Sequence, residues 1–246
     1  FIRCNPSDCK RYFSLFRKRI KRKYRAEEKS VKYHFSLTKK CLCCLLGLAV
    51  SGFGVAFSTY PDLGTSPISG LPYVMTFIYP LSFGTWTVLV NCLFIVIQAA
   101  LLGKKFGWAQ LLQIPAVTVF GFFIDLGMWL AEFVPLESYA ARAAEQVAGC
   151  AILAAGISFE LIADVTYMPG EGLINVIAKR WRLDFGKTKI AFDASLVVLS
   201  FATSLIFCGE IIGIREGTLI AVLMVGSCIR QFRRPFRFFK RGLVKA

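Results

Sequence analysis

From Lys39 onward the chain alternates long apolar runs with short polar interruptions, and the charges fall between the runs rather than at a helical spacing within them. A helix that is apolar on every side is stable only where its whole surface escapes water, and about 20 such residues span a bilayer's hydrocarbon. Runs near that length predict helices at about 40–60, 84–102, 108–130, 143–163, 188–208 and 212–229. The sixth is the shortest, with an uninterrupted apolar core from Thr218 to Ile229. The expected fold is an all-α membrane protein of six transmembrane helices.

Residues 47–100 align with residues 149–202 at a constant offset of 102 without a gap. Fourteen of these 54 positions are identical, where unrelated apolar segments would share about four or five. Glycines, prolines and an acid dominate the matches: Gly47/Gly149, Gly54/Gly156, Asp62/Asp164, Pro67/Pro169, Gly70/Gly172 and Gly84/Gly186. Each copy holds three spans, about 40–131 and about 142–230. An odd number of crossings turns the second copy upside down, so the repeats are expected to be inverted, an arrangement found in many secondary transporters.

Composition agrees with a membrane class: mean hydropathy is +0.58 and 56% of residues are hydrophobic. Lysine and arginine accumulate on cytoplasmic flanks. With both termini inside and six crossings, 28 of the 30 basic residues fall on one side, leaving Arg142 and Arg215 outside. Fourteen lie in residues 1–40 against three acids, so residues 1–38 read as a basic arm and 231–246 as a basic tail. The partner expected for both is anionic lipid, which attracts each basic residue near the surface by about 1 kcal/mol; no nucleic-acid partner is expected. No apolar signal segment precedes the arm, so the first span is expected to act as an uncleaved insertion signal. The nine cysteines lack zinc spacing and read as reduced thiols.

The repeated turn is the first lead to chemistry. It reads PDLGTSPISGLPYV in one copy and ADVTYMPGEGLINV in the other. Proline at the first helical position loses no hydrogen bond, so Pro67 and Pro169 are expected to begin short helices, Ser66 is placed to cap the first, and Gly70 and Gly172 permit close approach. Two readings stand for these segments. Either both lie at the interface, for which Pro72 and Tyr73 suit the outer one, or both dip inward and bring their partly positive N-termini to a substrate site. On the second reading Thr65, Ser66, Pro67, Gly70, Pro169, Gly170, Glu171, Gly172 and Asn91 would contact substrate.

Charges inside spans are the second lead, because each costs at least a few kcal/mol unless it faces the bundle interior or a partner. Glu160 and Asp164 are four apart on one helix face, and Asp193 is the repeat partner of Asn91. Glu160, Asp164 and Asp193, with Glu171, are candidates for proton or cation coupling. The structural alternative makes Asp164 and Glu171 boundary anchors paired with Lys179 or Lys187, and favours a plain role for Asp62 and Asp125. Gly47, Ser51, Gly54 and Ser58 form one small-residue stripe, which with Gly149 and Gly156 predicts that the first and fourth spans cross closely.

A single histidine, His34, rules out a metal site built on histidines, and Gly186-Lys187-Thr188 lacks the upstream glycine of a phosphate-binding loop. No nucleophile elbow or zinc-protease pair occurs; no enzymatic activity, cofactor or metal is expected. LGTSP, PGEGL and FGKTKIAFD, set among the spans of residues 40–230, resemble the YczE/YitT-like family of bacterial integral membrane proteins. That resemblance implies a bacterial cytoplasmic-membrane protein and carries no catalytic residues; the basic arm departs from it. The function expected is transport or export of a small molecule driven by an ion gradient. The alternatives are a substrate-binding membrane subunit that borrows a partner's ATPase, and a non-transporting scaffold; a homo-oligomer is compatible with each.

Overall fold

The computed structural model describes residues 37–229 apart from Asp164, Leu219, Ile220, Leu223, Gly226, Ser227 and the side chains of Leu37, Trp108 and Ala109. The tail, arm residues 1–36 and the coupling candidate Asp164 therefore lie outside the described residues. Among the described residues there are eight α-helices and no strand: α1 Leu37–Thr59, α2 Pro67–Ile78, α3 Phe83–Leu102, α4 Trp108–Leu111, α5 Gln113–Ala131, α6 Tyr139–Ala163, α7 Pro169–Arg180 and α8 Phe185–Cys208. Five of them, α1, α3, α5, α6 and α8, are long and apolar enough to cross a membrane. Of the sixth expected span, the described positions between Glu216 and Ile229 are helical.

The chain is turned inside out relative to a water-soluble domain. Ile206, Ile190 and Val96 are 74%, 72% and 64% exposed, whereas Gln98 and Gln146 are 1% and 0% exposed. Such a surface suits lipid, and the buried amide N–H groups find acceptors within the bundle. Gln146 Nε2 donates to the Gly64 carbonyl at 3.0 Å, and Gln98 Nε2 donates to Gln113 Oε1 at 3.0 Å. This is an integral membrane protein.

Local chemistry sets the helix ends. The expected span at 108–130 is interrupted at Leu112, because Pro115 has no N–H to give the Leu111 carbonyl and its ring crowds that turn. The Ser82 side chain accepts from Thr85 N to cap α3, and Asp184 accepts from Lys187 N to cap α8. Asp125 of α5 reinforces the first of these: Oδ1 accepts from Gly84 N and Oδ2 from Ser82 Oγ, both at 2.6 Å. At the end of α7, Arg182 takes a left-handed φ of 55° and Leu183 N returns to the Ala178 carbonyl at 2.9 Å, satisfying a carbonyl left by the last turn.

The two copies pack crosswise. The short helix α2 lies against α8 of the second copy as well as its own α3, and α7 lies against α3 of the first copy as well as its own α8. The loop before α2 is tied to the one before the last helical stretch: Thr65 N donates to the Gly213 carbonyl at 3.1 Å and Gly217 N to the Leu63 carbonyl at 2.7 Å. Asp62, at φ 56°, holds Arg215 there through its carbonyl at 3.1 Å and its carboxylate at 3.9 Å.

Candidate functional site

Helices α1 and α6 meet along the small-residue stripe. A Cβ on Gly54 would lie 2.5 Å from Leu153 Cα, one on Gly149 would lie 2.7 Å from Ser58 Cα, one on Gly156 2.8 Å from Ser51 Cα, and one on Gly47 2.9 Å from Glu160 N. Residue numbers rise along α1 as they fall along α6, so the helices run antiparallel with their backbones nearly touching. Only hydrogen fits between them at these positions. Glu160 faces this seam, where Ser51 Oγ donates to its Oε1 at 2.6 Å. Ser58, the repeat counterpart of Glu160, returns its hydroxyl to the Val55 carbonyl at 3.0 Å.

The short helices α2 and α7 have the same length and start at proline 102 residues apart. Their first turns meet: a Cβ on Gly170 would collide with Ile68 Cδ1. Around them one apolar cluster gathers Val90, Phe94, Leu173 and Leu196, with Ile68, Leu71 and Phe192 packed on it. Within it Leu71/Leu173, Val90/Phe192 and Phe94/Leu196 are all pairs at the repeat offset. Pro72 and Tyr73 are buried in the protein, whereas Phe77 and the C-capping Tyr79 at the far end of α2 are exposed.

Neither short helix has a side-chain cap. The Ser66 hydroxyl, expected to cap α2, instead donates to Ser69 Oγ at 2.9 Å. Thr65 Oγ1 shares a 2.8 Å hydrogen bond with Thr59 Oγ1. Gly70 packs on α8, where a Cβ would lie 3.1 Å from Ser200 Oγ, and Gly172 packs on the equivalent place of α3, 3.0 Å from Gln98 Oε1 and 2.9 Å from Gln113 Nε2. Gln98 Nε2 also donates to the Pro169 carbonyl at 3.0 Å. Ser200 Oγ is fully buried and has no hydrogen-bond partner among the described residues.

The remaining candidates sit on α3, α7 and α8. Asn91 Nδ2 donates to the Thr87 carbonyl at 2.8 Å and its Oδ1 is buried without a partner among the described residues. One repeat away, Lys189 Nζ pairs with Asp193 Oδ2 at 3.2 Å. Burial pushes the Glu171 carboxyl above its ordinary range, Lys189 opposes the shift, and Asp193 adds to it. Thr65, Ser66, Pro67 and Gly70 are brought together at one helix start, and Pro169, Gly170, Glu171 and Gly172 at the other. Sequence reasoning gave Ser51 a packing role only, and missed Gln98, Gln113 and Ser200. The offset that pairs Gln98 with Ser200 was the available signal.

Residues 38–234 match a family described as a family of unknown function, DUF6198. The chain belongs to this family. Among curated proteins, the chain is similar to the uncharacterised protein YyaS of Bacillus subtilis, 26% identical over 189 residues that cover 76% of this chain and 89% of that protein. No solved structure matches. The YczE/YitT-like resemblance is not the name that the family carries, and a bacterial relative without an assigned activity is compatible with it.

Proposed function

We propose that this protein is a small-molecule carrier of the bacterial cytoplasmic membrane, built of six spans as two inverted three-helix repeats and driven by an ion gradient, with both termini cytoplasmic. The observation that carries the reading is the meeting of Ile68 with Gly170. These are equivalent residues of the two copies, so a two-fold axis relating the copies passes beside them. Interfacial helices on opposite faces would stand about 30 Å apart across the hydrocarbon; contact at their first turns supports both dipping inward. Broken helices meeting at a repeat interface are where secondary transporters hold substrate.

The α1–α6 seam supports the same axis. The approach of Gly47 to Glu160 maps, by the offset, onto that of Gly149 to Ser58, and Gly54 to Leu153 maps onto Gly156 to Ser51. Equivalent helices running antiparallel are what inversion requires. On this reading Thr65 to Gly70 and Pro169 to Gly172 border the substrate, and Asn91 and Asp193 flank them on α3 and α8. Glu160 is the foremost coupling group, since a proton gained or lost there changes the charge in the seam about which the halves would rock. Anionic lipid would hold the basic arm and tail.

Two experiments test the proposal. Cysteines placed at Tyr79 and Trp181 in a cysteine-free background should label from opposite faces of intact membranes; labelling from one face removes the inverted repeat and the carrier with it. In liposomes the purified protein should move a solute, and Glu160→Gln, which keeps an acceptor for Ser51, should abolish dependence on the pH gradient. Co-purification with an ATPase that flux requires would replace the carrier by a substrate-binding subunit.

A further inference from the structure

Two segments from different copies are fastened to each other at the C-terminal end of α1. One, residues 60–66, joins α1 to α2, and the other, residues 209–217, leads from α8 into the last helical stretch. Two backbone hydrogen bonds cross between them in the antiparallel sense, from Thr65 N to the Gly213 carbonyl and from Gly217 N to the Leu63 carbonyl. Glycine permits the approach: a Cβ on Gly217 would lie 2.6 Å from the Leu63 carbonyl oxygen, and one on Gly64, at a φ of 119°, would lie 2.8 Å from Thr218 N. Gln146 of α6 spans the joint from within. It is fully buried, and its Nε2 donates to the Gly64 carbonyl at 3.0 Å and to the Gly217 carbonyl at 3.4 Å, one in each segment. At the surface Arg215 Nη1 donates to the Asp62 carbonyl at 3.1 Å and lies 3.9 Å from the Asp62 carboxylate.

These ties can part without melting a long helix. Each segment is a loop with two residues at positive φ, Asp62 and Gly64 in one, Gly209 and Gly213 in the other, and water can replace every hydrogen bond between them. The Asp62–Arg215 pair is exposed and therefore weak. Segments that open and close are drawn from such low-stability joints rather than from packed helices. What the joint covers is Thr65, 1% exposed, whose methyl group lies 3.8 Å from where a Cβ on Gly70 of α2 would stand. The other copy cannot repeat the joint with the same groups. Counting back 102 residues, Gly217 is replaced by Pro115, which has no N–H to donate, Gln146 by Cys44, and Arg215 by Gln113, which is bonded to Gln98.

From this geometry we infer that residues 60–66 and 209–217 form a gate, which Gln146 bolts from within and the Asp62–Arg215 pair latches at the surface, and which when joined shuts the approach to α2 off from that membrane face. The two segments part together, because Gln146 holds one carbonyl of each. The gate rests on the carrier reading for its purpose but not for its motion, because opening is measured without a solute.

The test uses the full chain in membrane vesicles of both orientations, with Thr65→Cys as the sole thiol and a membrane-impermeant trimethylammonium methanethiosulfonate as the probe. From the face that carries Arg215 the probe should modify this thiol far more slowly than it modifies Tyr79→Cys, a residue 53% exposed. Gln146→Met keeps the length of the side chain and removes its donor, and should speed modification of the Thr65→Cys thiol about tenfold, the loss of one buried hydrogen bond. Arg215→Ala should speed it about two- to fivefold, as befits an exposed pair. In a chain whose sole thiol is Cys44, 6% exposed at the other end of α1, neither change should admit the probe, which separates opening of the gate from unfolding. Should Gln146→Met unfold the chain, Arg215→Ala decides alone. Modification at the rate of Tyr79→Cys before any change to the joint, or a rate that neither variant alters, overturns the inference. A gate that opens in a protein without flux would stand while the carrier falls; flux with unaltered rates would do the reverse.

Discussion

Replacing Gly54 by alanine tests the α1–α6 seam most directly. The added Cβ would lie 2.5 Å from Leu153 Cα and 2.8 Å from Leu153 Cβ, against an ordinary carbon contact of about 3.5–4.0 Å. The neighbour is helix backbone, so relief requires the two helices to part by about 1 Å. A gap of that size forfeits a quarter to a half of each contact's attraction along the seam, and overpacking of this kind costs about 1–3 kcal/mol. Alanine returns about 1 kcal/mol through its better helix propensity, and because the obstacle is backbone rather than the end of a flexible side chain the cost lies at the upper end of that range, leaving a net loss of about 2 kcal/mol. For a chain of this size that lowers the unfolding temperature by about 4–8 °C, measurable by tryptophan fluorescence in detergent. Gly186→Ala is the control: its Cβ would meet only Asp184 Oδ1 at 3.3 Å, and the change should be within about 0.5 kcal/mol. Its repeat partner Gly84 abuts the Asp125 carboxylate and the Gly121 carbonyl, so Gly84→Ala should destabilise like Gly54→Ala. Equal stability of Gly54→Ala and the native chain would refute the backbone contact and the symmetry drawn from it.

Three further outcomes follow from named contacts. Asp125→Ala removes the acceptor of both Gly84 N and Ser82 Oγ, and should cost about 1–3 kcal/mol in the same unfolding assay; Asp62→Asn, at an exposed pair with Arg215, should cost less than about 1 kcal/mol. Glu171 has its carboxyl raised, by burial first, so the folded chain keeps a proton there that the unfolded chain has lost. Stability should therefore fall as pH rises from the ordinary carboxyl value to the raised one and level beyond it. Glu171→Gln should flatten that slope, and Lys189→Met, by removing the opposing charge, should extend it to higher pH; an unchanged profile in both would sink the assignment.

Much of the fold was legible because it is written in backbone requirements. Gly47, Gly54, Gly149 and Gly156 announced a close crossing, and Pro67 and Pro169 announced two helix starts that the structure places there. These residues act through geometry that few others permit, so their spacing survives in the sequence. The polar core was not legible. Gln98, Gln113 and Ser200 each interrupt an apolar run by one uncharged residue, which hydropathy tolerates, Gln146 is masked by the neighbouring Glu145, and the partners of the three amides lie 15 to 82 residues away. Asp125 is a similar case: its role as an added cap depends on Gly84, 41 residues earlier. Pro72 and Tyr73 are buried against protein; an aromatic beside a proline suits both a headgroup layer and a packed interior, and only the neighbours decide.

The charged side chains of the core divide unequally between the copies, and this bears on how such a molecule would work. Ser69, Thr87 and Asn91 of the first copy are matched at the repeat offset by Glu171, Lys189 and Asp193 of the second. The first set is neutral and buried, and ties Asn91 to the Thr87 carbonyl one turn before it. In the second, the same turn of helix carries the Lys189–Asp193 pair, partly exposed. Two identical inverted copies would give the two facings of a carrier equal free energy, because exchanging the copies merely exchanges the facings. Ionised groups at these positions in one copy alone break that equality, since desolvating them costs several kcal/mol per ion while the neutral set costs far less. On the proposed reading, the facing that opens the second copy to water is therefore the resting one. A bound solute would have to supply the difference, since a ligand shifts two states only by its unequal affinity for them.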